Sequence, residues 1–167
     1  NNTSSDNTAV GSFAMESNVD GYSNTAIGEG VMWSNQSGNF NTAIGLYAME
    51  QNLNGSSNIA IGDEAMLQNQ SGDFNIVIGA GAGGSSIAGY GNFSENTIIG
   101  TNAGELLVGG SKNVIVGRSA GYNLTYGGNN ILIGYNIAAP SNTNNQLNIG
   151  NAIFGTNIDG TLTNLST

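Results

Sequence analysis

The residues that could catalyse a reaction in this chain are its carboxylates, because the chain contains no histidine and no cysteine. Glu16 and Glu50 occupy equivalent positions of two similar segments, and Asp63 and Glu64 are adjacent. A pair of carboxylates can hydrolyse a glycosidic bond. No Asp or Glu lies within an apolar segment that would form a pocket around it. The carboxylates therefore predict a solvated acidic surface, no catalytic residues and a protein that is not an enzyme.

The sequence supports metal and cofactor sites no better than it supports a catalytic site. The known calcium-binding repeats need Gly-Gly-x-Gly-x-Asp at a short period, whereas Asp20 and Asp73 stand singly. Cys and His, the usual ligands of zinc, are absent. The glycine-rich run at residues 79–84 lacks the Lys-Ser/Thr ending and the following helix of a phosphate-binding loop. We predict no metal and no cofactor.

The charge of the chain excludes several partners. The net charge is −9, and Lys112 and Arg118 are the only cationic side chains. Nucleic-acid binding depends on Lys and Arg that neutralise phosphates, and anionic membranes attract the same residues. No apolar run approaches the ~20 residues of a spanning helix. We predict neither nucleic-acid binding nor membrane insertion.

Aromatic side chains give the only indication of a ligand surface. Trp33 and Tyr47 lie at variable positions of the repeat described below, which we predict to face solvent. Exposed aromatic residues commonly anchor partners. These two residues are therefore candidates for contact with a cell-surface glycan or receptor. For Phe40 and Phe74 we favour a structural role, in a groove between subunits.

A column of asparagines is the most regular polar feature of the chain. Asn-x-x-x-Gly recurs so regularly that each Asn is predicted to stack on the next and exchange amide hydrogen bonds with it, as in Asn ladders. The predicted ladder consists of Asn24, Asn41, Asn58, Asn75, Asn96, Asn113 and Asn130. Its role is structural. Asn35 and Asn69 also lie in Asn-x-Ser sequons, which occur by chance in a chain so rich in Asn.

The secondary structure that positions these residues can be predicted from the recurrence of the glycine that ends each motif. This glycine recurs at spacings of 17, 17, 17, 17, 21, 17, 17 and 16 residues, a fixed period that is typical of a solenoid. The positions are Gly11, Gly28, Gly45, Gly62, Gly79, Gly100, Gly117, Gly134 and Gly150. The spacing of 21 indicates an insertion within residues 84–95.

Each repeat is predicted to form a strand, a corner, a second short strand and another corner. Three apolar or β-branched residues precede the glycine, with Thr42 and Ile44 on one face of the strand and Ala43 on the other. Neither face carries charge, so we predict that both are buried. The Asn and Gly residues that recur in the next segment, of which Asn18 and Gly21 are the first, are predicted to adopt the positive φ of tight corners.

One exchange of residues between repeats predicts a shared interior space. The first four repeats combine Ala two residues before the glycine with Met four residues after it, as in Ala43 and Met49. In later repeats the residue before the glycine is large and the residue after it is small. Because packed interiors conserve volume, we predict that the two positions face each other. The later pairs are Val77 with Gly83, Ile98 with Gly104, Ile115 with Gly121 and Leu132 with Ala138.

These repeats resemble those of known fibrous proteins. Asn-Thr-Ala-Ile-Gly at residues 41–45, followed by Tyr-Ala-Met and an Asn/Ser/Gly turn, is similar to the head repeats of trimeric autotransporter adhesins and to the repeats of phage tail fibres. The segment Gln-Leu-Asn-Ile-Gly-Asn-Ala-Ile-Phe-Gly-Thr at residues 146–156 looks like the one that precedes an endosialidase-type chaperone. The adhesin repeat is shorter, and the chaperone itself is absent. The resemblance implies a left-handed parallel β-roll, an intertwined or side-by-side homotrimer and an extracellular, cell-surface or virion location.

The predicted protein is therefore an all-β, parallel left-handed β-solenoid of about nine coils of 17 residues. The solenoid covers residues 1–150, and residues 151–167 form a C-terminal cap or transition segment. The expected function is structural or adhesive, in a fibre that attaches to a host cell or surface. The alternatives are a polysaccharide-degrading tailspike-type enzyme and an ice-binding solenoid. The column that begins with Thr8, Thr25 and Thr42 would suit ice, although Ile59 ends it.

Overall fold

The protein is an all-β solenoid with one short strand in each coil. The computed structural model describes residues 5–84 and 91–155, and no helix occurs in these two ranges. The ten strands, each of three residues, are β1 (Thr8–Val10), β2 (Thr25–Ile27), β3 (Thr42–Ile44), β4 (Ile59–Ile61), β5 (Ile76–Ile78), β6 (Thr97–Ile99), β7 (Val114–Val116), β8 (Ile131–Ile133), β9 (Leu147–Ile149) and β10 (Ile153–Gly155).

The strands form one sheet in chain order, and equivalent residues of successive repeats lie side by side. Strands β1 to β9 are parallel, with Ala43 paired to Ala60, for example. Strand β10 instead runs antiparallel to β9 and pairs Ile153 with Ile149. The chain therefore completes about eight turns rather than the predicted nine, because after Gly150 (φ +60°) it reverses direction instead of continuing the coil.

The predicted second strand of each coil is absent from the residues described, and a tight turn replaces it. Tyr47 and Met49 both have φ of 54°, in the left-handed region, and equivalent residues of the other coils repeat this geometry. Two left-handed residues so close together cannot belong to an extended strand. The coils still pair through their backbones here, since the Met32 N–H donates to the Ala48 oxygen at 3.1 Å.

The prediction that the corner residues adopt positive φ holds for Gly110 (φ 123°) but is wrong for the first corners. Asn18 and Gly21 do not have positive φ; the left-handed residue of this corner precedes the ladder asparagine, as in Phe40 (φ 56°). Where glycine occupies the Gly21-type position, neighbouring coils approach too closely for a side chain. A Cβ atom on Gly55 would lie 2.6 Å from the Gly72 oxygen, which is closer than atoms can approach.

The interior is a narrow column of small and large apolar side chains. Ala43, Ala48 and Met49 are fully buried. The predicted exchange of volume is confirmed in the fifth to seventh coils. A Cβ atom on Gly83 would lie 2.9 Å from Val77 Cγ1, and one on Gly104 would lie 3.5 Å from Ile98 Cδ1. A residue with a side chain at these positions would therefore compete with the large residue of its own coil.

The last pair of this series was predicted wrongly. Leu132 is buried, but Ala138 is exposed and does not face it across the interior. Gly121 of the preceding coil lies beside Leu132 instead, because its Cβ atom would be 3.1 Å from Leu132 Cδ1. The chain departs from the repeat path just before Pro140, which explains why the eighth coil breaks the pattern.

The repeat register resumes directly after the insertion. Residues 85–90 of the segment 84–95 are outside the described residues. The Gln70 N–H donates to the Gly91 oxygen at 2.8 Å, which restores the pairing between coils. Phe93 then takes the repeat position held by Gly72 in the preceding coil. Its side chain is only 1% exposed and packs in the core.

Candidate functional site: the outward sheet face and its surroundings

The side of the sheet that points away from the core is an apolar surface, which we call the outward face. It consists of the first and third residue of each parallel strand, and it contains Thr, Val, Ile and Leu but no charged residue. Ile59 is 38% exposed and Ile76 is 39% exposed. The prediction that both strand faces are buried is therefore wrong for the single chain, which in strands β2 to β9 buries only the middle residue.

The outward face is regular because equivalent residues stack in register. Thr25 pairs with Thr42, and Ile44 pairs with Ile61, so each position forms a column along the sheet. β-Branched side chains pack well against one another in such columns. The Thr column extends over β1, β2 and β3 and then changes to Ile59 in β4. No described residue of the chain covers these columns.

The charged residues next to the strands lie at the borders of the outward face rather than on it. Lys112 lies two residues before β7 and Arg118 two residues after it, and both side chains are exposed. Glu29 and Asp63 lie at the same border position as Arg118, after β2 and β4. The face is therefore an uncharged strip, and the charged side chains next to the strands lie along its borders.

The predicted asparagine ladder is present and runs through the interior. Asn41 illustrates its geometry: its backbone N–H and its Nδ2 donate to Asn24 Oδ1 at 2.9 and 3.1 Å. The same Nδ2 also donates to the Gly55 oxygen at 2.8 Å. The pattern continues through Asn58, Asn75, Asn96, Asn113 and Asn130, and all are buried. The ladder ties each coil to its neighbours and leaves these amides unavailable to a ligand.

A second, shorter ladder was missed in the sequence. Asn35 Nδ2 donates to Asn18 Oδ1 at 2.6 Å, and Asn52 Nδ2 donates to Asn35 Oδ1 at 2.8 Å. The signal was present, since these residues recur at one repeat position, but we assigned it to backbone conformation. In later coils Leu107 and Leu124 occupy this position and are buried. Asn35 and Asn69 are also buried, so the folded chain does not expose these sequons.

The two predicted contact residues, Trp33 and Tyr47, lie on the tight turn beyond the repeat glycine. Trp33 is 41% exposed, and its ring centroid is 6.2 Å from that of Phe13. Tyr47 is half-buried rather than fully outward, because its ring lies over Gly30 of the preceding coil. The structure therefore places Trp33, Tyr47 and Phe13 on one side of the first three coils.

A different pair of aromatic residues borders the outward face. Tyr22 and Phe40 contact each other edge to face, with ring centroids 5.2 Å apart. Phe40 and Phe74 are 57% and 65% exposed, and both are in the left-handed region with φ of 56° and 59°. A large apolar side chain gains nothing from such exposure in a single chain. Both side chains lie at the border of the outward face.

No cluster of three or more Asp or Glu residues suited to a metal occurs within residues 5–84 and 91–155. Asp63 and Glu64 are exposed, as predicted. Asp73 accepts a hydrogen bond from the Ser56 N–H at 2.6 Å and thereby joins two coils. No helix that could cross a membrane is found among the residues described.

Comparison of the chain with protein-family models, with curated proteins and with solved structures gave no match.

Proposed function

We propose that this chain is a non-enzymatic module of an extracellular trimeric fibre, such as a phage tail fibre or a bacterial surface adhesin, which attaches to a host cell or surface. Three copies pack their outward faces around a common axis, and the solenoids lie side by side along the fibre. The observation that carries the proposal is the uncharged outward face. The number three comes from the resemblance of the repeats to those of trimeric fibres.

The size of the outward face supports burial against other copies. Nine strands about 4.8 Å apart, each with three residues of about 3.3 Å, present a flat patch of roughly 400 Å². Apolar patches of this size on a monomer commonly mark interaction sites. The exposed Phe40 and Phe74 extend the apolar area at one border. At ~25 cal/mol per Å², burial of this surface is a large driving force for association.

The composition of the face also favours copies of the same chain as its partner. An uncharged face does not select an ionic partner, and it is complementary to another uncharged face of the same kind. A row of in-register columns can be matched along its whole length by the same columns of a second copy. Closed symmetry is the usual outcome when identical chains bury identical surfaces.

The test is the mass of the particle in solution. We expect light scattering after size-exclusion chromatography to give three times 16.9 kDa. The double variant Ile59→Lys, Ile76→Lys places charges on the outward face and is expected to give a folded monomer. Gln36→Lys, on an exposed corner away from the face, serves as the matched control and is expected to remain trimeric. A wild-type chain that is folded and monomeric would contradict the proposal.

An ice-binding solenoid is the second candidate, and the in-register column of Thr8, Thr25 and Thr42 favours it. Ile59 and Ile76 interrupt that column, which is why we prefer association between copies. Thermal hysteresis measured on the monomeric double variant and on the wild type would separate the two functions. Hydrolysis assays on host polysaccharide address the tailspike alternative, and we expect no turnover.

A further inference from the structure

We propose that Phe13, Trp33, Glu16 and Glu50 form a binding platform for neutral carbohydrate. The inference deepens the proposed function, on which it rests, by naming the class of ligand through which the module attaches. The four residues belong to the first three coils and lie on the tight turn beyond the repeat glycine. We call this group the aromatic platform.

The two rings of the platform form a shallow, open surface. The planes of Phe13 and Trp33 are inclined by 34°, and their centroids are 6.2 Å apart. Phe13 is 57% exposed and Trp33 is 41% exposed. Tyr47 continues this surface into the third coil, where its ring covers Gly30. The platform therefore offers neighbouring ring faces over about three coils without a deep pocket.

Phe13 has a left-handed backbone conformation, which is unfavourable for a large side chain. Its φ is 59°, and the same position is left-handed in the following coils as well. Gly30, Gly81 and Asn102, which tolerate this conformation well, occupy it in the second, fifth and sixth coils, whereas Tyr47 and Glu64 occupy it in the third and fourth. Because Phe13 is exposed, burial in the core does not explain the choice of a large ring. A large exposed ring at this point would serve contact with a ligand.

Glu16 and Glu50 occupy the repeat position of Trp33 in the coils on either side of it. The Ser17 N–H donates to the Trp33 oxygen at 3.0 Å, and the Ser34 N–H donates to the Glu50 oxygen at 2.9 Å. These bonds show that residues 16, 33 and 50 form one column, in which coils are spaced by about 4.8 Å. Within the described chain, neither the Glu16 nor the Glu50 carboxylate makes a hydrogen bond or an ion pair. Both acceptors are available to a ligand.

This combination of groups fits a neutral sugar. The C–H face of a pyranose ring is apolar and can lie on an indole or phenyl ring, while its hydroxyl groups donate to the flanking carboxylates. An anionic sugar would be repelled, because Lys112 and Arg118 are five coils away and the platform has no cation of its own. Quaternary ammonium ligands need rings arranged as a cage, whereas these rings are open on one side.

The platform and the outward face do not compete for the same surface. The platform lies after the repeat glycine, on residues that belong to no strand, whereas the outward face is made of strand residues. A trimer that buries its outward faces would display three platforms. Weak binding at each platform would then add up to useful avidity.

Tryptophan fluorescence reports directly on the platform, because Trp33 is the only tryptophan of the chain. The full chain is titrated to millimolar concentration with maltohexaose, cellohexaose and laminarihexaose, and the emission of Trp33 is followed. We expect a saturable change with at least one of these neutral probes. Oligogalacturonate and tetramethylammonium are the anionic and cationic comparisons, and we expect neither to saturate.

Variants then connect the signal to the platform, with calorimetry as the readout. Trp33→Ala is expected to weaken binding of the responding probe at least tenfold, and Glu16→Gln with Glu50→Gln several-fold. Tyr122→Ala is the matched control, since Tyr122 holds the repeat position of Trp33 in the seventh coil and is 37% exposed. It is expected to bind like the wild type.

Three results would overturn the proposal: no saturable response to any neutral probe, binding that survives Trp33→Ala, or preference for the anionic or cationic comparison. Light scattering of the same samples distinguishes a failure of the aromatic platform from a failure of the proposed function. A trimer that binds no neutral probe contradicts the aromatic platform alone. A wild-type monomer contradicts the fibre module, whatever the sugar titration shows.

Discussion

Asn58 Oδ1 accepts two hydrogen bonds from Asn75, one from the backbone N–H at 2.9 Å and one from Nδ2 at 2.9 Å. Asn58 itself donates through Nδ2 to Asn41 Oδ1 at 3.1 Å and to the Gly72 oxygen at 2.9 Å. One buried amide thus connects three successive coils and satisfies both its donor and its acceptor atoms. Only an amide side chain of this length supplies both chemistries at that point.

Asn58→Asp is expected to destabilise the fold by about 3 kcal/mol or more, because a carboxylate oxygen would replace a donor between two acceptors and bury a charge. Urea unfolding at a fixed protein concentration measures the loss. Asn54→Asp makes the same chemical change at an exposed corner, and we expect it to alter stability by less than about 0.5 kcal/mol. Equal effects of the two variants would show that the ladder contributes little.

Met49→Gly is expected to be destabilising, and Ala43→Ile is expected to restore part of the loss. Removal of a buried Met side chain costs ~2–5 kcal/mol, although glycine relieves about 1 kcal/mol of strain at φ 54°. The natural pair Ile98 and Gly104 shows that a large residue and a glycine fit together at these positions. A double-mutant cycle measures the coupling.

The control for that cycle is Met15→Gly combined with Ala43→Ile, since Met15 and Ala43 lie two coils apart. We expect these two changes to be additive within ~0.5 kcal/mol. Additivity in the Met49 cycle as well would mean that the two positions do not share one space.

Gly30→Ala is expected to destabilise the chain by about 1–2 kcal/mol, because Gly30 has φ +64° and a Cβ atom would lie 2.6 Å from Tyr47 Cε1. Adding Tyr47→Ala removes the collision and should recover part of that loss. Thermal unfolding of the two single variants and the double variant measures this. If the double variant loses the sum of the two single effects, Tyr47 does not lie over Gly30.

Deletion of residues 87–90 is expected to preserve the fold, because it returns the spacing between Gly79 and Gly100 from 21 residues to 17. Corner insertions of solenoids lie on the surface and tolerate shortening. Circular dichroism and light scattering of the shortened chain provide the measurement. Deletion of residues 90–93 removes the same number of residues together with the buried Phe93, and should be clearly destabilising. A shortened chain that fails to fold in the first case would reveal a structural role for the insertion.

The period and the polar columns were readable from the sequence. Each coil places its residues in the same surroundings as the coil before, so the recurrence of Asn41 and Asn58 was enough to predict the ladder. The exchange of Ala43 and Met49 for Ile98 and Gly104 likewise revealed a contact across the interior, because a packed core conserves volume. The aromatic residues Trp33 and Tyr47 were identified, but not their relation to Phe13 and Gly30.

The tertiary structure decided which residues turn the chain and which surfaces stay uncovered. Gly21 and Asn18 looked like residues chosen for positive φ, yet the left-handed residues are Phe40 and Met49, because the path between corners depends on contacts with neighbouring coils. The burial of Phe93 could not be predicted either, because its ring packs beside Gly83, and only the folded coils bring these two residues together. The uncharged strand residues were predicted to be buried on both sides. They are exposed on one side, because the interior of a coil covers only one face of its strand. The absence of charge does not by itself bury the other face.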